Sequence, residues 1–155
     1  MTKPILVLGI GNILLKDEGI GVRVAEQMMK MSLPPDVEVM DGGVGGLNLL
    51  DYIEARKKVI VVDTVKAGTA PGTLFRFTDR DLSDKKGFIR SAHGIDFSDV
   101  IAAAGYLGTK PDAIVFIGIE PETLDASLEL SPKMAEMIPV LINLVMKEIA
   151  RGGEG

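Results

Sequence analysis

At 155 residues, 46% hydrophobic and 25% charged, the chain has the size of one globular domain, 1–155, and its lack of cysteine excludes disulfides, thiolate metal sites and a cysteine nucleophile. Its one histidine, His93, excludes centres built on two or three imidazoles, the H-E-x-x-H zinc peptidase helix among them. A net charge of −5 with no basic block argues against a nucleic-acid partner, and no run approaches the roughly 18 apolar residues of a membrane span, so no membrane partner and a cytoplasmic setting are expected.

In chain order, the first element is a strand at residues 5–8, a branched apolar run too short and too early for a signal segment. A helix follows from about Gly19 to Met31, with Ile20, Val24 and Met28 on one stripe and Arg23, Glu26 and Lys30 on another. A strand at 37–40 interleaves Glu38, and a weaker helix covers 47–55. The run at 59–62 is a strand covered on both faces, whereas the strand at 73–77 interleaves Arg76 and suits a sheet edge. A third helix starts at Asp96, an N-cap, with Asp99 in its first turn and Phe97, Val100, Ile101 and Ala104 toward the core. The last strand is 114–119. The last helix opens on Ser131-Pro132, an N-cap and a first-turn proline, and carries Met134, Met137, Ile138, Leu141, Leu144, Val145 and Ile149 at helical spacing. Pro139 inside it predicts a kink costing about 3 kcal/mol in an isolated helix. The tail 152–155 is expected to fray.

Five strands alternating with helices define an α/β domain, a three-layer sandwich with helices on both faces of a mostly parallel twisted sheet. With the strands named β1 to β5, the polar strands β2 and β4 belong at the edges. Right-handed crossovers then give the order 2-1-3-5-4, with β4 antiparallel. The crevice between the carboxyl ends of β1 and β3 is the topological switch point, where open α/β sheets bind ligands.

The residues following those strands are candidates for chemistry. After β1, Gly9-x-Gly11 suggests a dinucleotide loop, but Leu14 replaces the third glycine, the loop is long, and Asp17 and Glu18 oppose a phosphate. The glycines then serve close approach of the loop to something else. Each acid singly could favour the helix macrodipole, an effect of about 0.3–1 kcal/mol. Asp63 ends β3 ahead of a segment containing Gly68, Pro71 and Gly72, which reads as loop, so a capping role is weak. Asp41 heads a loop with glycines at 42, 43, 45 and 46, which permits backbone approach to a ligand or partner chain, or forms a structural turn. A lone histidine is usually structural. If Glu18, Asp63 and His93 converge at the switch point, however, two carboxylates and one imidazole make a set suited to nickel, zinc, manganese or iron. The eight methionines are gap fillers, although Met134, Met137 and Met146 could offer an adaptable partner surface.

Over nearly its whole length the sequence resembles the hydrogenase maturation endopeptidases, which trim the C-terminal extension from the large subunit precursor of nickel-iron hydrogenases. The resemblance rests on Gly9-Ile10-Gly11-Asn12 with the continuation to Asp17-Glu18-Gly19-Ile20-Gly21, on Asp41-Gly42-Gly43, on Val61-Val62-Asp63 with Ala70-Pro71-Gly72, on Ser91-Ala92-His93-Gly94, and on Gly118-Ile119-Glu120-Pro121-Glu122 leading to Leu130-Ser131-Pro132. It implies Glu18, Asp63 and His93 as catalytic metal ligands, and Asp41, with Gly42 and Gly43, in substrate recognition. It further implies that nickel is supplied by the precursor, with no permanent cofactor. Two other readings compete: a nickel-dependent module that binds the precursor without cutting it, and a nucleotide-binding α/β protein.

Overall fold

The computed structural model describes residues 2–84 and 97–151, the side chains of 82–84 and 98 excepted. Asp96, the segment around His93 and the tail 152–155 lie outside the described residues. The strands are β1 (Ile5–Ile10), β2 (Val37–Gly43), β3 (Lys58–Thr64), β4 (Leu74–Thr78) and β5 (Ala113–Ile119), in the spatial order β2-β1-β3-β5-β4. All neighbours pair in parallel except β4 with β5, so the expected order and the antiparallel edge are both found.

Burial explains the order. Every residue of β1 and β3 is buried, whereas β2 and β4 each keep a partly exposed face. Helices α1 (Ile20–Met28) and α5 (Pro132–Ala150) cover one face of the sheet, packing Ile20, Val24, Met28, Leu141 and Val145 against Val7, Ile60 and Val115. Helices α2 (Leu50–Ile53) and α4 (Phe97–Leu107) cover the other, where Ile53, Phe97, Val100 and Ala104 meet Leu6, Leu8, Val61 and Ile114.

Two helical segments depart from the sequence reading. The helix expected at 47–55 is a 3-10 turn, Leu47–Leu49, followed by the short α2. A helix absent from the reading, α3 (Asp79–Asp84), is started by a reciprocal cap: Thr78 N donates to Asp81 Oδ2 at 2.9 Å and Asp81 N to Thr78 Oγ1 at 3.4 Å. Met134 is fully buried and Met137 and Met146 pack against the same core, so these methionines are gap fillers, as expected, rather than a partner surface. Helix α5 runs through Pro139, which lies on its exposed side.

Three strands also run further at the carboxyl end than hydropathy indicates. β1 reaches Ile10, β2 takes in Asp41, Gly42 and Gly43, and β3 takes in Asp63 and Thr64. Pairing continues past the apolar runs through glycine and polar residues, so Asp41 and Asp63 are held by the sheet rather than by loops.

Candidate functional site at the carboxyl end of the sheet

The first support of the site is a close approach of helix to sheet. A Cβ added to Gly9 on β1 would lie 2.2 Å from the carbonyl oxygen of Gly21, and one on Gly21 would lie 2.2 Å from that of Val62 on β3. Backbone meets backbone here, so α1 starts directly over the β1–β3 junction. These glycines serve helix–sheet contact.

Just before α1, a 3-10 turn, Lys16–Gly19, carries Glu18, and the turn lies against β3. Glu18 is 3% exposed. On the neighbouring strand Asp63 is 5% exposed, in register with Gly118 of β5, and its Oδ1 accepts the main-chain N–H of Thr64 at 2.7 Å. Two carboxylates thus lie buried at one end of the sheet, presented by a turn after β1 and by the end of β3. Oxygen donors of this kind suit a divalent cation. Among the described residues no group of three His, Asp or Glu side chains is assembled to hold a metal ion, and His93 lies outside them.

Asp41 stands on the other side of β1, opposite Gly9, and is exposed. The register then slips, with Ile10 facing Gly43, so Gly42 is an extra residue that bulges the edge strand. Asp41 Oδ1 accepts the N–H of Gly43 at 2.7 Å, and Gly43, at φ 54°, offers its carbonyl to Gly11 N at 2.8 Å. This aspartate both organises a turn and leaves an exposed carboxylate beside the switch point.

Two further acids were overlooked as organisers. Glu120, directly after β5 as Asp63 closes β3, accepts the N–H groups of Ala67 and Thr69 and the hydroxyl of Thr69, each at 2.9 Å, and so ties down the β3–β4 loop. Its placement immediately behind a fully apolar strand was a usable signal. Asp17, read as a macrodipole residue, is fully buried and accepts hydrogen bonds from the segment between β5 and α5. Ser131 does precede the first turn of α5, but its hydroxyl makes no cap bond and donates to Asp17 Oδ2 at 2.9 Å instead.

An open, mostly parallel sheet with buried carboxylates at its switch point, and an acidic bulged edge beside them, defines an α/β protein with a candidate ligand site at the carboxyl ends of β1 and β3. Comparison with known proteins makes this specific. The hydrogenase maturation protease family profile matches residues 22–148. The chain is 40% identical over 152 residues to the hydrogenase expression/formation protein HupD of Rhodobacter capsulatus, covering 96% of this chain and 72% of that protein. It is 35% identical over 151 residues to the hydrogenase 2 maturation protease of Escherichia coli (strain K12), covering 96% and 92%. The solved hydrogenase maturating endopeptidase HybD from E. coli superposes with a TM-score of 0.88 at 34% identity, covering 96% of this chain and 93% of that one. The chain belongs to the hydrogenase maturation protease family, and is an endopeptidase of hydrogenase maturation.

Proposed function

We propose that this endopeptidase removes the C-terminal extension of the nickel-loaded large subunit precursor of a nickel-iron hydrogenase, with Glu18, Asp63 and His93 as the ligands that engage the precursor's nickel. The observation that carries this reading is the burial of Glu18 and Asp63 at one switch point, from different segments of the chain. Carboxylate oxygens gathered at one strand end are hard donors that suit a divalent ion presented by a substrate. Nickel belongs to the substrate in this scheme, so the enzyme keeps no permanent cofactor. One imidazole and two carboxylates form a set that is modest when empty and effective when a metal arrives already held by other ligands. Docking on the metal fixes the scissile bond; the metal offers Lewis-acid activation, and a carboxylate of the set offers a general base toward water.

Family membership sets aside the module that binds without cutting. Among the described residues no helix is long and apolar enough to cross a membrane. Mass spectrometry of nickel-loaded precursor after mixing with the enzyme tests the reading. A large subunit shortened by one peptide from its C-terminus is the expected product, and cleavage elsewhere, or none, contradicts it.

Asp41, with the Gly42-Gly43 bulge, is assigned to substrate recognition beside the cut. Asp41→Asn retains an acceptor for Gly43 N but loses the charge. It is expected to raise KM for the precursor about tenfold with kcat little changed, as loss of one charge-assisted hydrogen bond requires. Steady-state kinetics check this, and a fall in kcat at unchanged KM would place Asp41 in the chemistry instead.

A further inference from the structure

The turn that carries Glu18 is poorly held by its own backbone. It is a 3-10 turn of four residues, its N-terminal residue Leu15 makes no side-chain cap, and Lys16 sits in the left-handed region at φ 51°. Short 3-10 segments have weak hydrogen-bond geometry, and a non-glycine residue at positive φ persists only where its surroundings fix it. The surroundings here are a segment more than 100 residues away. Ser131 N donates to Asp17 Oδ1 at 2.8 Å, and Oδ2 accepts from Glu122 N at 3.1 Å, Thr123 N at 3.0 Å and Ser131 Oγ at 2.9 Å. Main-chain bonds run alongside, from Lys16 N to Ser127 O at 2.9 Å and from Ser127 N to Leu14 O at 3.0 Å.

We infer that Asp17 is a positioning residue for the metal-engaging site: its buried carboxylate clamps the Glu18 turn to the segment between β5 and α5. The inference rests on the proposed role of Glu18 as a ligand. All four groups that meet the Asp17 carboxylate are donors, so both of its oxygens accept. The same connecting segment begins at Glu120, which ties down the loop after β3. One stretch of chain therefore braces both acid-bearing segments, Glu18 through Asp17 and Asp63 through the loop that follows it. Asp17 never touches substrate in this scheme and acts through the placement of its neighbour.

The test is titration of the free enzyme with Ni2+ by calorimetry, at a temperature below the melting point of every variant. Glu18→Gln is expected to weaken Ni2+ binding at least tenfold. Asp17→Asn turns an amide N–H toward one of its four donors and is expected to weaken it about 10- to 100-fold, the range for residues that orient a ligand. Asp125→Asn removes an exposed charge from the same connecting segment and is expected to stay within about twofold. If Asp17→Asn binds Ni2+ like wild type while Glu18→Gln does not, the positioning role is overturned and the ligand role stands. If Glu18→Gln binds like wild type, the ligand role fails and the inference with it. A loss for Asp125→Asn equal to that for Asp17→Asn also overturns the inference, since charge alone then accounts for the effect. Should Asp17→Asn not fold, Ser131→Ala decides at unchanged charge: weakening of about twofold or more supports the clamp, and unchanged affinity overturns it.

Discussion

Glu18→Gln, Asp63→Asn and His93→Ala are each expected to slow trimming of a nickel-loaded precursor by about 100-fold or more while leaving the enzyme folded. The magnitude follows from the two roles proposed for the set, anchoring the substrate's metal and assisting proton transfer, the second alone contributing roughly 10²–10⁴-fold. Glu18→Gln and Asp63→Asn are the sharpest of the three, because each removes a charge with little change of volume at a buried position. Gel-shift rates of precursor conversion, with circular dichroism as the control for folding, check the expectation. Wild-type rates in any one variant remove that residue from the set. Losses in pairs of variants should also fall well short of additive, as for groups that act as a unit.

The second large effect lies away from the site. Lys58 is fully buried, and its Nζ donates to the main-chain oxygen of Glu148 at 2.9 Å and to Oε2 at 3.2 Å. Arg76, on the β4 edge, closes the other side of the same carboxylate, with Nε 2.5 Å from Oε1. Glu148→Ala removes the counter-charge that this carboxylate supplies to a buried ammonium, and is expected to cost about 3–5 kcal/mol. The double replacement Lys58→Met with Glu148→Leu is expected to recover most of that loss, since well-packed apolar groups often match a buried ion pair. Urea midpoints read both, and a Glu148→Ala protein as stable as wild type contradicts the assignment.

The same group sets an acid dependence. Burial alone would raise the Glu148 carboxyl above its ordinary value of 4.5, but the hydrogen bonds from Arg76 and Lys58, with their charges, outweigh it and hold the group lower. The unfolded chain therefore takes up the proton first as pH falls. Stability from this group is fully present above about pH 4.5 and drains away as pH drops through the lowered folded-state value. The gap in urea midpoint between wild type and Glu148→Ala should be full at neutral pH and narrow in strong acid.

The sheet order was legible because burial writes itself into composition. Continuous branched runs at 59–62 and 114–119 belong at the centre, Glu38 and Arg76 mark the edges, and handedness fixes the rest. The switch point followed from that order, and Glu18, Asp63 and Asp41 were legible as acids at its strand ends. The carboxyl-terminal extension of β1, β2 and β3 was not, because backbone pairing through glycine and polar residues leaves no hydropathy signal. Nor was the service of Asp17 and Glu120, whose partners lie more than 50 residues away, or the buried Lys58, whose acid partner stands 90 residues along the chain. A buried polar network reads as ordinary charged surface until the fold supplies the partner.

The central claim is that nickel in the precursor is what the enzyme recognises. Its most direct measurement is the mass of the large subunit after incubation of the enzyme with nickel-loaded and with nickel-free precursor, side by side. Release of a C-terminal peptide from the loaded form alone is the expected result. Equal cleavage of both forms would contradict the claim.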